Sequence, residues 1–559
     1  MSLNQDFETQ FSQARDLQAL GKLSEAKAHY ELININFPNR IGPLQLLGWV
    51  NSQLGLWSEA IEVLSIAVQL NPKDPHSFYL MGVVMCQFES WSAGVECFDQ
   101  TLLLMPTHIE ALCDKGSALI ELKLYEEALA SYQNSIKVDI ENSAAHFGCG
   151  NALYGLKRIE QAANHFLEAI RLNPNYSAAF VNLGKIYHDQ DLYRMALDCF
   201  EKAISIDDSN AIAHSNLSIE LKYLHRLDES LLSSNRAIAL KPDYYDAYWN
   251  RSLTYLLMGR LKEGFIDYHY RWDTSRFEPI KRKYSQPLWL GMESLTGKRL
   301  FVYNEQGFGD SIQFCRYLAL ARDAGAKVIY EVSDALYDLF TSLDGVDQLV
   351  KVNEHLPDFD YYCPLMSLPI GFNTQVNSIP SKIPYLSVSP DKINKWESTL
   401  GYKSRPRVGL CWSGSPTHQG DKHRSIPFSM LLGYLPVEYE YISLQKNISS
   451  SDYLAFGNSS NIKNFSEYLY DFSDTAALAS TLDLVITVDT SVAHLAGSLG
   501  IPTWVLLPHT PDWRWMLARD DSPWYPTMKL YRQENSGDWN SILMKLTYDL
   551  NKFVNLKFH

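Results

Sequence analysis

At 559 residues the chain exceeds what one compact core supports, so roughly three to four domains are expected. Hydrophobic residues at 46% and aromatics at 13% supply enough apolar surface to fold throughout, which excludes an intrinsically disordered chain. A formal net charge of -15 excludes nucleic acid as a default partner, because phosphate backbones are held by concentrated Lys and Arg; a local basic pocket for a small phosphate stays open.

The first residues, MSLNQDFETQFSQ, are polar and acidic without an apolar signal core. No apolar run of about eighteen residues occurs, so the reading is a soluble cytoplasmic protein with no transmembrane segment. The cysteines (Cys86, Cys97, Cys113, Cys149, Cys199, Cys315, Cys363 and Cys411) scatter without a C-x-x-C pair or a His at metal spacing. They read as small buried hydrophobes in a reducing compartment.

The first half repeats itself. Pro38, Pro72, Pro106, Pro174 and Pro242 are separated by 34, 34, 68 and 68 residues, with Ile140 and Asp208 in the two missing places. On the same period Gly48, Gly82, Gly116, Gly150 and Gly184 form one column. Ala26, Ala60, Gly94, Ala128, Ala162 and Ala196 form a second, and Tyr30, Leu64, Phe98, Tyr132, Phe166 and Phe200 a third. Small residues at fixed places let the two helices of a hairpin approach, and the aromatic is expected to fill the gap between neighbouring hairpins. Over residues 7–278, about eight units, this pattern resembles the tetratricopeptide repeat family. Stacked repeats leave an extended concave surface, which suits a protein or peptide partner; the blander reading is an array that only supports or orients the second half. The last unit keeps Gly264 and then loses the pattern, so it is expected to cap the stack and dock it on the second half of the chain.

From Lys298 onward short apolar runs alternate with helical patterns. Strands are expected at Arg299–Asn304, Lys327–Val332, Gln348–Val352, Arg407–Trp412, Tyr439–Gln445, Leu484–Asp489 and Thr503–Leu507. Strands alternating with helices mean parallel sheets. Residues 381–406 carry three prolines and no sustained period, and read as a link between two α/β units. The expected architecture is an α-solenoid over residues 1–278, a first Rossmann-like lobe over 279–390 and a second over 391–559 ending in an amphipathic helix. Ligands are expected where the strand C-termini face each other.

Three loops carry candidate chemistry. The first, NEQGFGD, follows a strand and holds Gly307, Gly309 and Asp310. The second, WSGSPTHQGDKHRSIP, offers Ser413, Gly414 and Ser415 as donors, then Lys422, His423 and Arg424 as cations, a combination suited to a diphosphate. It reads equally as a solvated surface loop. In the third, VDTSVAHLAG, a strand ends at Asp489, Thr490 and Ser491 open a helix whose N–H groups favour an anion, and His494 lies one turn inside. The blander reading is capping by Asp489 or Thr490 with His494 as a core histidine. Gln445 and Lys446 follow another strand, where the lysine reaches either a phosphate or solvent. In PDWRWMLARDDSPWYP, Arg514 is a possible anion clamp, while Trp513, Trp515, Trp524 and Tyr525 either stack on a ligand or pack the lobes together.

The G-x-G-D turn, the D-K-H-R segment and the V-D-T-S-x-x-H-L-A-G segment, in this order over residues 299–532, resemble family 9 glycosyltransferases, the ADP-heptose heptosyltransferase group. With the repeats, the chain resembles bacterial tetratricopeptide proteins that end in such a domain, and in layout the protein O-GlcNAc transferases. The resemblance implies a GT-B fold of two facing lobes. The reaction is read as an inverting transfer from a nucleotide sugar, and with no carboxylate-rich D-x-D element that has a clear metal role it is expected to need neither a metal nor a further cofactor. The resemblance also implies Asp310 as base, Lys422 on donor phosphate, and Asp489, Thr490, Ser491 and His494 on the diphosphate and sugar. Ser491 stands where the family commonly has Gly, and Arg424-Ser425-Ile426-Pro427 replaces a tryptophan-containing continuation, so the sugar stays open. Two other readings stand beside this one: a non-catalytic repeat scaffold with a degenerate transferase domain, and an adaptor controlled by nucleotide binding.

Overall fold

The computed structural model describes residues 2–418, 420–456 and 462–557, and the chain forms two compact units that divide between Glu220 and Leu221. Among the described residues, sixteen helices follow one another from Ser2 to His269 as eight hairpins, the first being Ser2–Ala19 with Leu23–Asn36 and the last Tyr245–Leu257 with Leu261–His269. These are an α-solenoid of repeats.

The periodic columns explain the packing. The alanines at 26, 60, 128, 162 and 196 are fully buried, as are the rings of Tyr30, Phe98, Phe166 and Phe200. Each glycine of the first column lies over the third-column side chain of its own hairpin. A Cβ at Gly48 would stand 2.5 Å from Leu64 Cγ, at Gly82 2.6 Å from Phe98 Cε1, and at Gly184 2.7 Å from Phe200 Cε1. The aromatic therefore fills the gap within a hairpin as well as between hairpins, where Gly148 of the next unit meets Tyr132.

Two further columns have no obvious sequence signature. Residues 21, 55, 89, 123, 157, 191, 225 and 259 all have φ between +58° and +77°, which closes each interhelical turn. Glycine takes this place only at Gly21, Gly55 and Gly259; Glu89, Lys123, Lys157, Asp191 and His225 adopt it despite their Cβ. Asp74, His108, Asn142 and Asn210, also in register, cap the first helices of their hairpins through the amides of Ser77, Ala111, Ala145 and Ala213.

In the second unit, β1 (Arg299–Tyr303), β2 (Lys327–Val332), β3 (Gln348–Lys351) and β4 (Tyr361–Pro364) make a parallel sheet in the order β3-β2-β1-β4. A second parallel sheet holds β5 (Arg407–Cys411), β6 (Glu440–Ser443), β7 (Ile462–Asn464), β8 (Leu484–Val488), β9 (Thr503–Leu507) and β10 (Met528–Arg532), ordered β10-β9-β8-β5-β6-β7. Counted from β5, this is the doubly wound order 3-2-1-4-5-6, whose ligand crevice opens beyond the C-terminal strand ends at the reversal point between β5 and β8.

All seven expected strands form. The three without a sequence signal, β4, β7 and β10, lie at sheet edges, where one flank lacks a partner strand and the apolar run is short or mixed with charge. The expected link over 381–406 instead contains a helix, Pro390–Leu400, with Trp396 and Leu400 in a core with Leu478 and Val485. Two of its prolines lie outside that helix and Pro390 occupies its first turn, where a missing N–H is harmless.

One apolar core runs from the last helical hairpin through both sheets, joining Leu256 and Phe265 to Val302, Phe314, Leu507 and Trp513. The C-terminal amphipathic helix, Trp539–Lys557, covers the second sheet through Trp539, Ile542, Leu543, Leu546 and Leu550. All eight cysteines are free thiols; Cys149, Cys315, Cys363 and Cys411 are buried, and the other four only half-buried, a correction to the expectation that all are core residues. Among the described residues, no helix is long and apolar enough to cross a membrane.

Candidate functional site

Strand β1 delivers the chain to the loop Asn304–Gly307, and helix Phe308–Phe314 begins at once. Gly307 occupies the N-cap position, and its amide donates to Asp310 Oδ2 at 2.8 Å. The other carboxylate oxygen accepts from Nη2 of Arg514. The Asp310 side chain keeps 20% exposure while Arg514 keeps 9%, so one edge of the pair faces solvent. Burial raises the Asp310 pKa above the usual carboxylate range, and the Arg514 charge opposes it without cancelling it.

Arg514 is more than a loose clamp. Its Nε donates to Gln313 Oε1 at 2.8 Å, its Nη1 to Asp512 Oδ1 at 2.8 Å, and its guanidinium lies 4.3 Å from the centre of the Trp513 ring. Burial works against its charge, but Asp512 and Asp310 more than offset this and hold it protonated. The aromatic run around it is buried: Trp513, Trp515, Trp524 and Tyr525 form part of the core between the sheets. Of the two sequence readings for these rings, packing is the one realised.

From the second sheet, β8 ends at Val488, Asp489 follows, and Thr490 is the N-cap residue of helix Ser491–Ser498. The Thr490 side chain makes no cap hydrogen bond; its Oγ1 lies 3.2 Å from Thr487 Oγ1. Capping by Thr490 is thus not what occupies this helix start. His494 is buried, stacks on Trp515 at 5.4 Å and 16°, and places Nδ1 3.0 Å from the Tyr525 hydroxyl. Burial, then the charges of Arg514, Arg316 and Arg424, hold its pKa well below the ordinary histidine value, so the imidazole is neutral. Asp489 is pushed up to about 6, first by burial and then by Asp512, against the cations Arg424 and Arg514.

The two helix starts meet. A Cβ on Gly309 would lie 2.9 Å from His494 Cδ2 and 3.5 Å from Ser491 Cα, so glycine permits the contact. Next to it Phe308, 45% exposed, lays its ring 5.1 Å from Phe472 of the second sheet's layer. Arg316 ties the same junction, donating to the carbonyls of Pro380 and Trp524 at 3.1 and 2.7 Å and to the Tyr385 hydroxyl at 2.9 Å.

The β5 loop adds a cation. Arg424, in the helical turn Asp421–Arg424, donates from Nη1 to the Asp489 carbonyl at 2.8 Å and from Nε to Asp421 Oδ1 at 3.1 Å. A Cβ at Gly414 would stand 2.3 Å from Asp421 Oδ1 and 2.4 Å from Arg424 Nη2, so a side chain there would displace the ends of that pair. Lys422, in the same turn, is exposed.

Asp310, Arg514, Asp489, Ser491, His494 and Arg424 therefore gather at the C-terminal ends of β1, β5, β8 and β9. Gln445 is placed differently: its Oε1 accepts from the Ser413 amide at 3.2 Å, and its Nε2 donates to the carbonyls of Ser413 and Asn447 at 3.0 and 3.1 Å. It braces the β5 loop, and Ser413 meets it through backbone. Lys446 donates to the Ser466 carbonyl at 3.1 Å. Sequence reasoning missed Asp512, Gln313 and Arg316, polar residues inside helical or aromatic runs with no motif of their own. Among the described residues, no group of three or more His, Cys, Asp or Glu is arranged to hold a metal ion.

Known proteins resemble parts of this chain. Family models described as "Tetratricopeptide repeat" match residues 109–140 and 177–210, and one described as "TPR repeat" matches residues 150–191. Protein FlbA of Caulobacter vibrioides is 22% identical over 331 residues, which is 54% of this chain and 54% of that protein. The chain thus spans about half the length of that curated relative. Among solved structures, a tetratricopeptide repeat protein from Parabacteroides merdae aligns at 16% identity and a TM-score of 0.39, covering 45% of this chain and 99% of that one. MamA from Desulfovibrio magneticus RS-1 aligns at 23% identity and a TM-score of 0.29, covering 30% and 96%. The helical hairpins of the first half are tetratricopeptide repeats.

Proposed function

We propose that the two-sheet part is an inverting glycosyltransferase of GT-B type, moving a sugar from a nucleotide-sugar donor to an acceptor hydroxyl. The acceptor in this reading is a protein or peptide recruited by the repeats. The observation that carries it is the close approach of Gly309 to Ser491 and His494. It brings the helix start of one parallel sheet that holds Asp310 against a helix start of the other, with Arg514 bonded to Asp310 and Arg424 bonded to the Asp489 carbonyl. The family 9 resemblance, which rests on the same residues, supports it independently of geometry.

In this mechanism Asp310 accepts the hydroxyl proton while the acceptor oxygen bonds to the anomeric carbon. The bond from that carbon to the diphosphate breaks, and the electron pair leaves with the nucleotide. The first N–H groups of helix Ser491–Ser498, with Arg424 and Lys422, stabilise the charge that develops there. A neutral His494 leaves the stabilising charge to the cations and, held by Tyr525, buttresses Gly309. Asp310 has each oxygen bonded once, and a carboxylate oxygen keeps a second lone pair for the incoming proton.

The engagement of both Asp310 oxygens is also the observation that favours a second reading, a nucleotide-controlled adaptor that binds donor without turning it over. Incubating the full chain with UDP-glucose, GDP-mannose and ADP-glucose, with and without EDTA and with a total protein extract supplied as acceptor, separates the two. A raised melting temperature together with release of free nucleotide, unaffected by EDTA, supports the transferase; a raised melting temperature without release supports the adaptor; neither effect across a wider donor panel overturns both.

A further inference from the structure

The loop that leads into the Asp310 helix is gripped from the end of the helical repeats. Helix Leu261–His269 runs into the turn Tyr270–Asp273, whose Arg271 is fully buried. Its guanidinium makes two parallel bonds to Glu305, Nε to Oε2 at 2.7 Å and Nη2 to Oε1 at 2.7 Å. The remaining donors reach the Tyr268 carbonyl at 3.0 Å and Ser367 Oγ at 3.1 Å. Glu305 Oε1 also accepts from the Met366 amide at 3.0 Å, and Gln306 Nε2 donates to the Tyr268 hydroxyl at 2.9 Å.

Stability alone does not account for this pair. A buried ion pair loses hydration, and apolar replacement of both partners is often neutral or better. What a bidentate fork supplies is a fixed direction. Glu305 and Gln306 lie directly before Gly307, whose amide holds Asp310. A second grip acts on the opposite partner. His225, in the turn before helix Leu227–Leu240, stacks on His509 at 4.4 Å and 19°, and Thr510 Oγ1 donates to the Tyr223 carbonyl at 3.2 Å. His509 and Thr510 lead into Asp512 and Arg514.

We propose that Arg271, acting through Glu305, is a positioning residue for Asp310, so that the last repeat is a built-in part of the reaction site rather than a tether. Its effect on turnover rests on the transferase reading; its effect on the loop does not. Two variants of the full chain test it. Arg271→Lys keeps the charge and loses the fork, and Arg271→Met with Glu305→Gln removes both charges together so that no carboxylate is left buried and unpaired.

The double variant is expected to melt near the wild type while amides of residues 304–314 exchange about tenfold faster, the signature of a loosened local segment. Nucleotide release from the donor that wild type accepts should fall roughly tenfold to a hundredfold in kcat at unchanged donor KM, because a displaced base affects the chemical step. Arg271→Lys should show the same pattern in weaker form. Wild-type exchange of 304–314 in both variants overturns the proposal. If wild type releases nucleotide from no donor, the transferase reading fails instead, and the exchange measurement alone decides the role of Arg271.

Discussion

Gly309 and His494 share one contact across the junction of the two sheets: a Cβ on the glycine would stand 2.9 Å from the imidazole Cδ2. The ring cannot yield easily, because it is stacked on buried Trp515 and tied to Tyr525. Gly309→Ala is therefore expected to destabilise the second unit by about 1–3 kcal/mol, the usual range for overpacking. Denaturant melts followed by tryptophan fluorescence check this; an unchanged midpoint would show that the helices can part without loss.

Asp310→Asn retains the shape of the side chain and an oxygen for Arg514 but turns its NH2 toward the Gly307 amide, so a modest loss of stability is expected while the fold and donor binding survive. Turnover should drop by roughly a hundredfold or more, since a positioned base commonly contributes that much. Nucleotide release at saturating donor is the measurement, with calorimetry confirming that donor still binds. Wild-type rates in the Asn variant would remove Asp310 from the role of base.

Acid should weaken the contribution of His494. Its pKa in the folded chain lies well below the ordinary value, so between the two values the unfolded chain binds the extra proton and the folded one does not. Stability from this group is complete above about pH 6.5 and falls by up to about 1.4 kcal/mol per pH unit below it. Asp489, raised to about 6, works in the opposite sense, because in the folded chain it takes up its proton more readily than in the unfolded chain. Comparing wild type with His494→Gln isolates the histidine: the stability gap between them should narrow from pH 7.5 to pH 5.5. A gap independent of pH would contradict a neutral buried imidazole.

The turn column predicts a stabilising change far from any site. Lys123 has φ +60° in a place that Gly21, Gly55 and Gly259 fill elsewhere. Lys123→Gly relieves a left-handed strain of about 1–2 kcal/mol and costs about 0.4–1 kcal/mol in unfolded-state entropy, for a net gain near 0.5–1 kcal/mol. Urea unfolding of the repeats should shift its midpoint upward; a downward shift would mean that the lysine Cβ is not strained there.

Much of this architecture is legible in sequence because the physics behind it is local. A residue class that returns every 34 positions reports one packing solution repeated, and the buried alanine and aromatic columns are that solution. Central strands read clearly because both faces are covered and the run is apolar throughout, as in β8, whose every residue is buried. Edge strands β4, β7 and β10 lack that uniformity. The left-handed turn column has no sequence signature because five of its residues are not glycine, and backbone conformation leaves no trace in composition when a Cβ is tolerated.

The candidate site divides along the same line. Sequence alone determined that Asp310 opens a helix after a strand, that Thr490 and Ser491 do so after another, and that Arg514 lies among aromatics. Each is a matter of a few neighbouring residues. Only the tertiary structure decided that Arg514 reaches back 204 residues to Asp310, that Gln445 is absorbed by the β5 loop, and that Arg271 of the last repeat holds Glu305. Such pairs depend on where two parallel sheets and a helical hairpin close around one core. Distances of that kind are set by packing between elements, for which no local pattern of residues exists.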